Sequence, residues 1–113
     1  MNQDTQNILI GARALIAAGW CQGASARDTQ GGWVFCHQDS AVSFCILGAI
    51  ARAAERRLVP EITATEAVAD AIRQNRTEEF HEAIDSVLLV STYNDDPFRT
   101  RRQVLELLDE LIS

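Results

Sequence analysis

A charge-free run in the middle of the chain constrains the fold more than any other stretch. No residue from Val42 to Ile50 is charged, and on a helical wheel the apolar side chains of the run point in all directions. A helix that is apolar on every side belongs in the interior of a globule. We therefore expect a central helix over residues 40–57, capped by Asp39 or Ser40, with the other elements packed around it.

Small side chains along this predicted helix indicate where another element approaches it. Cys45, Gly48, Ala49 and Ala53 recur at the spacing of one helical face. Glycine lowers helix stability by about 1 kcal/mol relative to alanine, and close contact between two backbones would offset that loss. We expect a neighbouring helix to pack closely against this face.

Four further helices are predicted on the two sides of the central one. Their apolar spacing and their capping residues indicate the bounds. The first predicted helix covers residues 5–18. The second begins at a Thr63–Glu66 capping box and ends at Asn75, the third covers residues 77–91, and the fourth runs from Thr100 to the last residues. The helix at 77–91 should bury Phe80, Ile84, Val87 and Leu88, and Tyr93–Pro97 should be a polar loop. Three glycines punctuate residues 21–38, which we predict to be a small β-hairpin or an irregular loop. The predicted fold is mostly α, a compact bundle of about five helices in a single domain over residues 1–113.

The two halves of the chain differ in charge. The net charge is −6, but residues 1–60 carry +1, from five arginines and four acids, whereas residues 61–113 carry −7, from five arginines and twelve acids. Nucleic-acid binding requires clustered positive charge, so we expect no direct nucleic-acid ligand. The acidic half permits a basic protein partner, but we favour the interpretation that this face only keeps the protein soluble.

Other classes of protein are disfavoured by the absence of their signatures. No stretch approaches the roughly 20 apolar residues of a membrane span, and the N-terminus has no basic segment before an apolar core. Three cysteines, an odd number, are typical of a reducing compartment. We expect a cytoplasmic monomer or homodimer without a cofactor. No metal site is expected, because the spacing of the possible ligands matches no compact zinc motif, these being Cys21, Cys36, His37 and Cys45.

Cys45 is the candidate nucleophile of the sequence. A thiol in the first turns of a helix can have a lowered pKa, and His81 and Asn94 would be its natural partners in catalysis. Cys45 also stands between Phe44 and Ile46, where a cysteine is usually a small buried apolar residue. We favour the second interpretation.

Three arginines crowd the predicted start of the last helix. Arg99, Arg101 and Arg102 stand where positive charge opposes the helix dipole. We predict that at least one of them pairs with a nearby carboxylate, the candidates being Asp95, Asp96 and Asp28. The alternative is a site for an anion or a partner.

Short stretches spread over most of the chain form a pattern when taken together. They are Trp20–Ala24 (WCQGA), Ala26–Asp28 (ARD), Phe44–Ala49 (FCILGA), and Asn94–Asp95 followed by Thr100 and a leucine-rich last helix. This pattern resembles a family of small bacterial and phage proteins, a domain of unknown function, with the order W-x-x-G-A, A-R-D, C-x-x-G-A, W-N-D and T. The chain departs from it at Tyr93, where the family tends to show Trp.

The resemblance carries no activity, but it implies that some polar residues come together. Arg27, Asp28, Asn94 and Asp95 would form one cluster beside Cys45. Such a cluster is either a binding site, to which Arg99 would be added, or a hydrogen-bond network that fixes the loops, and we favour the network.

Two functional hypotheses follow from the sequence. The first is a small non-enzymatic interaction or accessory protein, in one version a phage-derived inhibitor that binds a basic bacterial protein through its acidic C-terminal half. The alternative is a cysteine-dependent hydrolase that uses Cys45.

Overall fold

The computed structural model describes residues 1–57, 61–75 and 85–113, and these residues form a mostly α-helical fold. The elements, in chain order, are α1 (Gln3–Ala18), β1 (Ala26–Arg27), β2 (Trp33–Val34), β3 (Ser43–Phe44), α2 (Ile46–Ala54), α3 (Glu61–Asn75), α4 (Ser86–Asp95) and α5 (Arg101–Ile112). The predicted fold class is confirmed. No helix in the described parts of the chain is long and apolar enough to cross a membrane.

The last helix begins where the sequence predicts it, and the first helix ends as predicted but begins two residues early, with Asn2 as its N-cap instead of Asp4 or Thr5. α1 begins after the N-cap Asn2 and buries Ile8, Leu9, Ala12 and Ile16 along one face. α5 begins at the predicted Thr100, whose side chain and that of Gln103 complete a reciprocal capping box. Both helices carry their own start signals and a clear apolar stripe, so the sequence alone is enough to locate them.

The central helix is shorter than predicted. α2 covers Ile46–Ala54 rather than residues 40–57, and Cys45 is its N-cap in place of Asp39 or Ser40. The residues before it are extended, because their backbone pairs on both sides: the Val42 N–H donates to Arg27, and the Phe44 N–H donates to Gly19. A short apolar run is compatible with a buried strand as well as with a helix. In this chain the run forms a strand at Ser43–Phe44 and a helix from Ile46 onward.

α2 nevertheless lies at the centre of the described molecule, as predicted. It contacts α1, α3 and α4, and Ile46 and Ile50 have no exposed surface. The predicted close approach of a helix occurs at Ala53, because a Cβ on Gly11 of α1 would lie 3.1 Å from the Cβ of Ala53. Gly48 faces the loop before β1 instead, and a Cβ at this position would overlap the carbonyl oxygen of Ser25.

A small antiparallel sheet covers one side of the helices. Its strand order is β2-β1-β3, so the predicted hairpin is confirmed and a third strand, taken from the predicted central helix, completes it. Ala26 of β1 pairs with Val34 and Phe44 and lies in the core with Phe44. Trp33 and Phe35 are 55% and 61% exposed, and their rings meet edge to face with centroids 4.6 Å apart.

α3 and α4 differ from their predicted bounds. α3 covers Glu61–Asn75, so Thr63 lies inside it and opens no capping box. The residues that would follow the predicted end at Asn75 lie outside the described residues. Residues 77–84 of the predicted helix 77–91 lie outside the described residues, and α4 continues past Ser91 to Asp95. The predicted polar loop is therefore helical through Asp95, and Val87 and Leu88 are exposed instead of buried.

Candidate functional site

The candidate site lies where three parts of the molecule meet. These are the N-terminus of α2, the C-terminal turns of α4, and the loop that joins α1 to β1. They enclose a cavity of about 250 Å³, lined among the described residues by residues 23–25, Cys45, Leu47, Ser91, Asn94 and Asp95. The cavity brings the candidate nucleophile close to two of the predicted cluster residues.

Asn94 is the polar centre of this site. Its side chain is 1% exposed, and all of its hydrogen-bonding groups have partners. The Oδ1 atom accepts from the Trp20 indole N–H at 2.9 Å and from the Ile46 backbone N–H at 3.1 Å, and the Nδ2 atom donates to the Cys21 carbonyl at 3.1 Å and to Asp95 Oδ1 at 2.9 Å. A buried amide bonded in this way holds its neighbours and has no group left over for a ligand.

The Asn94 amide continues a strand ladder that the backbone leaves unfinished. Trp20 and Phe44 form an isolated parallel bridge, in which Phe44 accepts from the Cys21 N–H and donates to Gly19. The next bond of a parallel ladder would join the Ile46 N–H to the Cys21 carbonyl. The Asn94 side chain lies between these two groups and bonds to both.

Asp95 and Gln22 secure the loop above the cavity. Asp95 Oδ1 accepts from the Gly23 N–H at 3.1 Å as well as from Asn94. The Gln22 side chain donates to the carbonyl oxygens of Asn94 and Asp96, both at 2.9 Å. Asn94 lies in the last turn of α4 and Asp96 is the C-cap, and a helix has no internal partners for the carbonyls at its end. Gln22 therefore bonds to the end of the helix, together with the Arg99 N–H, which also donates to the Asp96 carbonyl.

The Cys45 thiol is an N-cap and lacks the properties of an activated nucleophile. Its Sγ accepts from the Gly48 N–H at 3.3 Å. Burial raises the pKa of Cys45 to about 11, although the Gly48 N–H acts in the opposite direction. The lowering expected at a helix N-terminus is therefore outweighed by loss of solvation. His81, the partner that the hydrolase alternative requires, lies outside the described residues.

The implied polar cluster is only partly assembled. Asn94 and Asp95 line the cavity with Cys45, whereas the Arg27 guanidinium donates to the Gln22 carbonyl at 3.0 Å and to the Gly31 carbonyl at 2.9 Å. Asp28 is separate from them, because its carboxylate accepts from backbone N–H groups of its own turn, those of Gln30 and Gly32. The cluster is thus Asn94 with Asp95, Arg27 joins it through Gln22, and Asp28 shapes the hairpin turn.

Arg99 lies on another side of α4. Its Nε donates to the Tyr93 carbonyl at 2.9 Å, its guanidinium carbon lies 3.6 Å from the centroid of the Tyr93 ring, and an Nη lies 3.8 Å from Asp96. The prediction that one arginine pairs with a carboxylate of this segment is confirmed. These residues also line a second cavity of about 590 Å³, to which the exposed Phe98 contributes.

Metal ligation finds no support in the described part of the chain. No group of three His, Cys, Asp or Glu side chains is close enough to hold an ion there. His37 lies 3.2 Å from Glu55, and Cys21 hydrogen-bonds to the carbonyl of Ala24.

Sequence reasoning missed two residues that build the site. Gln22 gave no signal beyond its place within the WCQGA stretch, and Ser25 could be found only through the glycine it requires at position 48. The Gln22 side chain bonds to backbone carbonyls far away in the sequence, and the Ser25 carbonyl contacts Gly48. No local sequence pattern predicts such contacts.

Comparison with family models gives one result. A model described as "Family of unknown function (DUF6197)" matches residues 1–113. This confirms the resemblance to a domain of unknown function. Comparisons with curated proteins and with solved structures found no match.

Proposed function

The chain belongs to DUF6197, a family of unknown function, and we propose that it is a small non-enzymatic interaction protein. It binds a basic protein through its acidic surface, which we define as the exposed Asp and Glu side chains of residues 61–113. The proposal that the protein is not an enzyme rests on the thiol of Cys45, because burial raises its pKa to about 11. A thiol with this pKa is protonated at neutral pH and is a poor nucleophile.

The alternative, a cysteine-dependent hydrolase, has one observation in its favour. A cavity of about 250 Å³ opens beside Cys45 and could admit a small substrate. The amide of Asn94 cannot serve as a catalytic partner without giving up bonds to Trp20, Cys21 and Ile46. The interaction hypothesis needs no such rearrangement.

The acidic surface has the exposure that a binding role requires. In the described residues, eight of its acids are exposed: Glu61, Glu66, Asp70, Asp85, Asp95, Glu106, Asp109 and Glu110. Glu106, Asp109 and Glu110 follow the spacing of one face of α5. Arg13 lowers the pKa of Asp109, which keeps this carboxylate charged.

Arginines of the chain already pair with part of the acidic surface, but these ion pairs are weak enough for the cationic side chains of a partner to displace them. Asp109 lies 2.7 Å from Arg13, and Glu106 lies 3.4 Å from Arg102, with both pairs open to solvent. Exposed pairs of this kind contribute little to stability, because water and salt screen them. Arginines or lysines of a partner can therefore replace them.

We further propose the setting that the family resemblance suggests. The chain is phage-derived, acts in the bacterial cytoplasm and has a basic bacterial protein as its partner. The unpaired state of Cys21, Cys36 and Cys45 supports a reducing compartment.

The test is capture of a partner with charge variants of the full chain. The immobilised protein should retain a basic bacterial protein, which about 0.5 M salt should release because it shortens the range of charge interactions to a few ångströms. The double variant Glu106→Gln, Glu110→Gln should bind the purified partner at least about tenfold more weakly in titration calorimetry. Asp4→Asn with Asp39→Asn, which neutralises two exposed acids of the N-terminal half, is the matched control and should bind as the parent does.

Two results would contradict the proposal. A partner that binds the two double variants with equal affinity would not use the acidic surface. Turnover of a thioester or ester substrate by the wild-type chain, lost in Cys45→Ser, would establish the hydrolase instead.

A further inference from the structure

Two of the three cysteines of this chain lie at neighbouring positions in space, although 24 positions separate them in the sequence. The parallel bridge joins Trp20 to Phe44, so Cys21 and Cys45 are the next pair in the same register. The Cys21 N–H donates to the carbonyl of Phe44, the residue before Cys45, at 3.1 Å. In a parallel pair, side chains at the same register position point to the same face.

Asn94 keeps this pair together beyond the bridge. Its amide bonds to the carbonyl of Cys21 and to the N–H of Ile46, the residue after Cys45. The backbone on both sides of the two cysteines is therefore fixed by hydrogen bonds. Adjacent strands lie about 4.8 Å apart, which falls within the Cα separation of roughly 4.4–6.8 Å that a disulfide spans.

We propose that Cys21 and Cys45 form a reversible, oxidation-sensitive thiol pair that closes to a disulfide in the presence of a low-molecular-weight disulfide. The inference is independent of the proposed interaction function. In the reduced protein the two sulfur atoms have separate partners: Cys21 Sγ donates to the Ala24 carbonyl, and Cys45 Sγ accepts from the Gly48 N–H. Closure of the disulfide requires both sulfurs to leave these partners.

The cavity gives the reagent a route to the pair. Cys45 is half-buried and lines the cavity of about 250 Å³, whereas Cys21 is buried, with 8% of its surface exposed. Cys45 is therefore the sulfur that a small disulfide reaches first. A negative charge on Cys21 raises the pKa of Cys45, as expected for two neighbouring thiols.

The reaction consists of two thiol–disulfide exchanges. The Cys45 thiolate attacks one sulfur of the reagent RSSR, forms a mixed disulfide and expels one RS⁻. The Cys21 thiolate then attacks the Cys45 sulfur and expels the second RS⁻, and the two RS⁻ ions take up the protons that the cysteines released. The protein loses two electrons and two protons, and the reagent is reduced to two RSH molecules.

Oxidation has a local structural consequence. The disulfide removes the sulfur acceptor from the Gly48 N–H in the first turn of α2. It also ties the start of α2 covalently to the loop that Gln22 and Asp95 hold over the cavity. The pair thus couples the thiol state of the protein to the geometry of the cavity.

Mass spectrometry of the wild-type chain tests the proposal. The folded protein is treated with bis(2-hydroxyethyl) disulfide at a pH of about 9, because burial raises the pKa of both thiols and slows exchange at neutral pH. Formation of the pair should lower the intact mass by about 2 Da, the mass of two hydrogen atoms, and dithiothreitol should reverse it. Chymotrypsin cleaves after Trp20, Trp33, Phe35 and Phe44, so each cysteine falls in a peptide of its own.

The position of the disulfide in the folded protein distinguishes the possible outcomes. A disulfide-linked pair of peptides containing Cys21 and Cys45, formed in Cys36→Ser as in the wild type and absent in Cys21→Ser, is the expected result. A link through Cys36, two stable mixed disulfides at Cys21 and Cys45, or closure only in denaturant would overturn the proposal.

Discussion

At the scale of the residue, burial and a helix N-terminus change the pKa of the Cys45 thiol in opposite directions. Its position as the N-cap of α2, with the Gly48 N–H directed at the sulfur, favours the thiolate, whereas burial disfavours it. Burial prevails and raises the pKa to about 11. The sequence predicted the chemical character of this cysteine from its apolar neighbours, but its place ahead of the helix could not be read from them.

The pH dependence of Cys45 alkylation follows from this shift. In a Cys21→Ser, Cys36→Ser variant, the rate of iodoacetamide labelling should rise about tenfold per pH unit from pH 7 to pH 10 without reaching a plateau. The same variant in urea should show half-maximal labelling near the free thiol pKa of about 8.5 and reach a plateau about one pH unit above it. Because folding raises the pKa, the stability contributed by Cys45 is complete below the unfolded pKa and is lost as pH rises toward 11. A plateau below pH 8 in the folded variant would show an activated thiol and favour the hydrolase.

At the scale of the element, the sequence located helices that carry their own signals and misjudged those whose ends depend on other parts of the chain. α1 and α5 have an apolar stripe with local caps, and their positions were predicted closely. The start of α2 is fixed by pairing of Ser43–Phe44 with β1, and α4 continues to Asp95, where Gln22 caps its last carbonyls. The residues that fix these two helix ends, in β1 and at Gln22, lie far from them in the sequence.

Gly48 provides the test at this scale. Gly48→Ala should gain about 1 kcal/mol of helix propensity. The new Cβ would overlap the Ser25 carbonyl oxygen, which accepts from the Cys45 N–H, so the backbone must move. We expect a net loss of about 1–3 kcal/mol in the free energy of unfolding, measured by urea denaturation.

Gly11→Ala is the matched control for Gly48→Ala. It is the same substitution inside a helix, and its Cβ would lie 3.1 Å from the Cβ of Ala53 and 4.0 Å from the Ala53 Cα, so a shift of a few tenths of an ångström relieves the contact. Its effect on stability should be smaller. A Gly48→Ala protein at least as stable as the parent would remove the role assigned to Ser25 in positioning α2.

At the scale of the whole molecule, the candidate site is one of the places where the two halves of the chain are joined, the packing of α1 against α5 being another. The resemblance implied a cluster of Arg27, Asp28, Asn94 and Asp95, and two of these residues meet at the cavity. The sequence could not show which polar groups would be buried together, because three of the four hydrogen bonds of the Asn94 side chain span 48 to 74 positions. Only the packing of α4 against α2 and the loop after α1 brings them into range.

Asn94→Ala tests whether this junction holds the molecule together. The change removes the partners of the Ile46 N–H, the Trp20 indole N–H and the Cys21 carbonyl. Each polar group left buried without a partner costs about 1–3 kcal/mol, so we expect a loss of about 3–5 kcal/mol in urea denaturation. A loss of this size is a large share of the roughly 5–15 kcal/mol by which a typical domain is stable.

Asn7→Ala is the control for the substitution itself, because the Asn7 side chain takes part in an exposed bond with Gln3. It should change stability by less than about 0.5 kcal/mol. Trp20→Phe, which removes one donor to Asn94 and keeps an aromatic ring, should fall between the two variants. If Asn94→Ala and Asn7→Ala denature at the same urea concentration, apolar packing alone joins the two halves, and the fully bonded Asn94 amide is a consequence of that packing rather than its support.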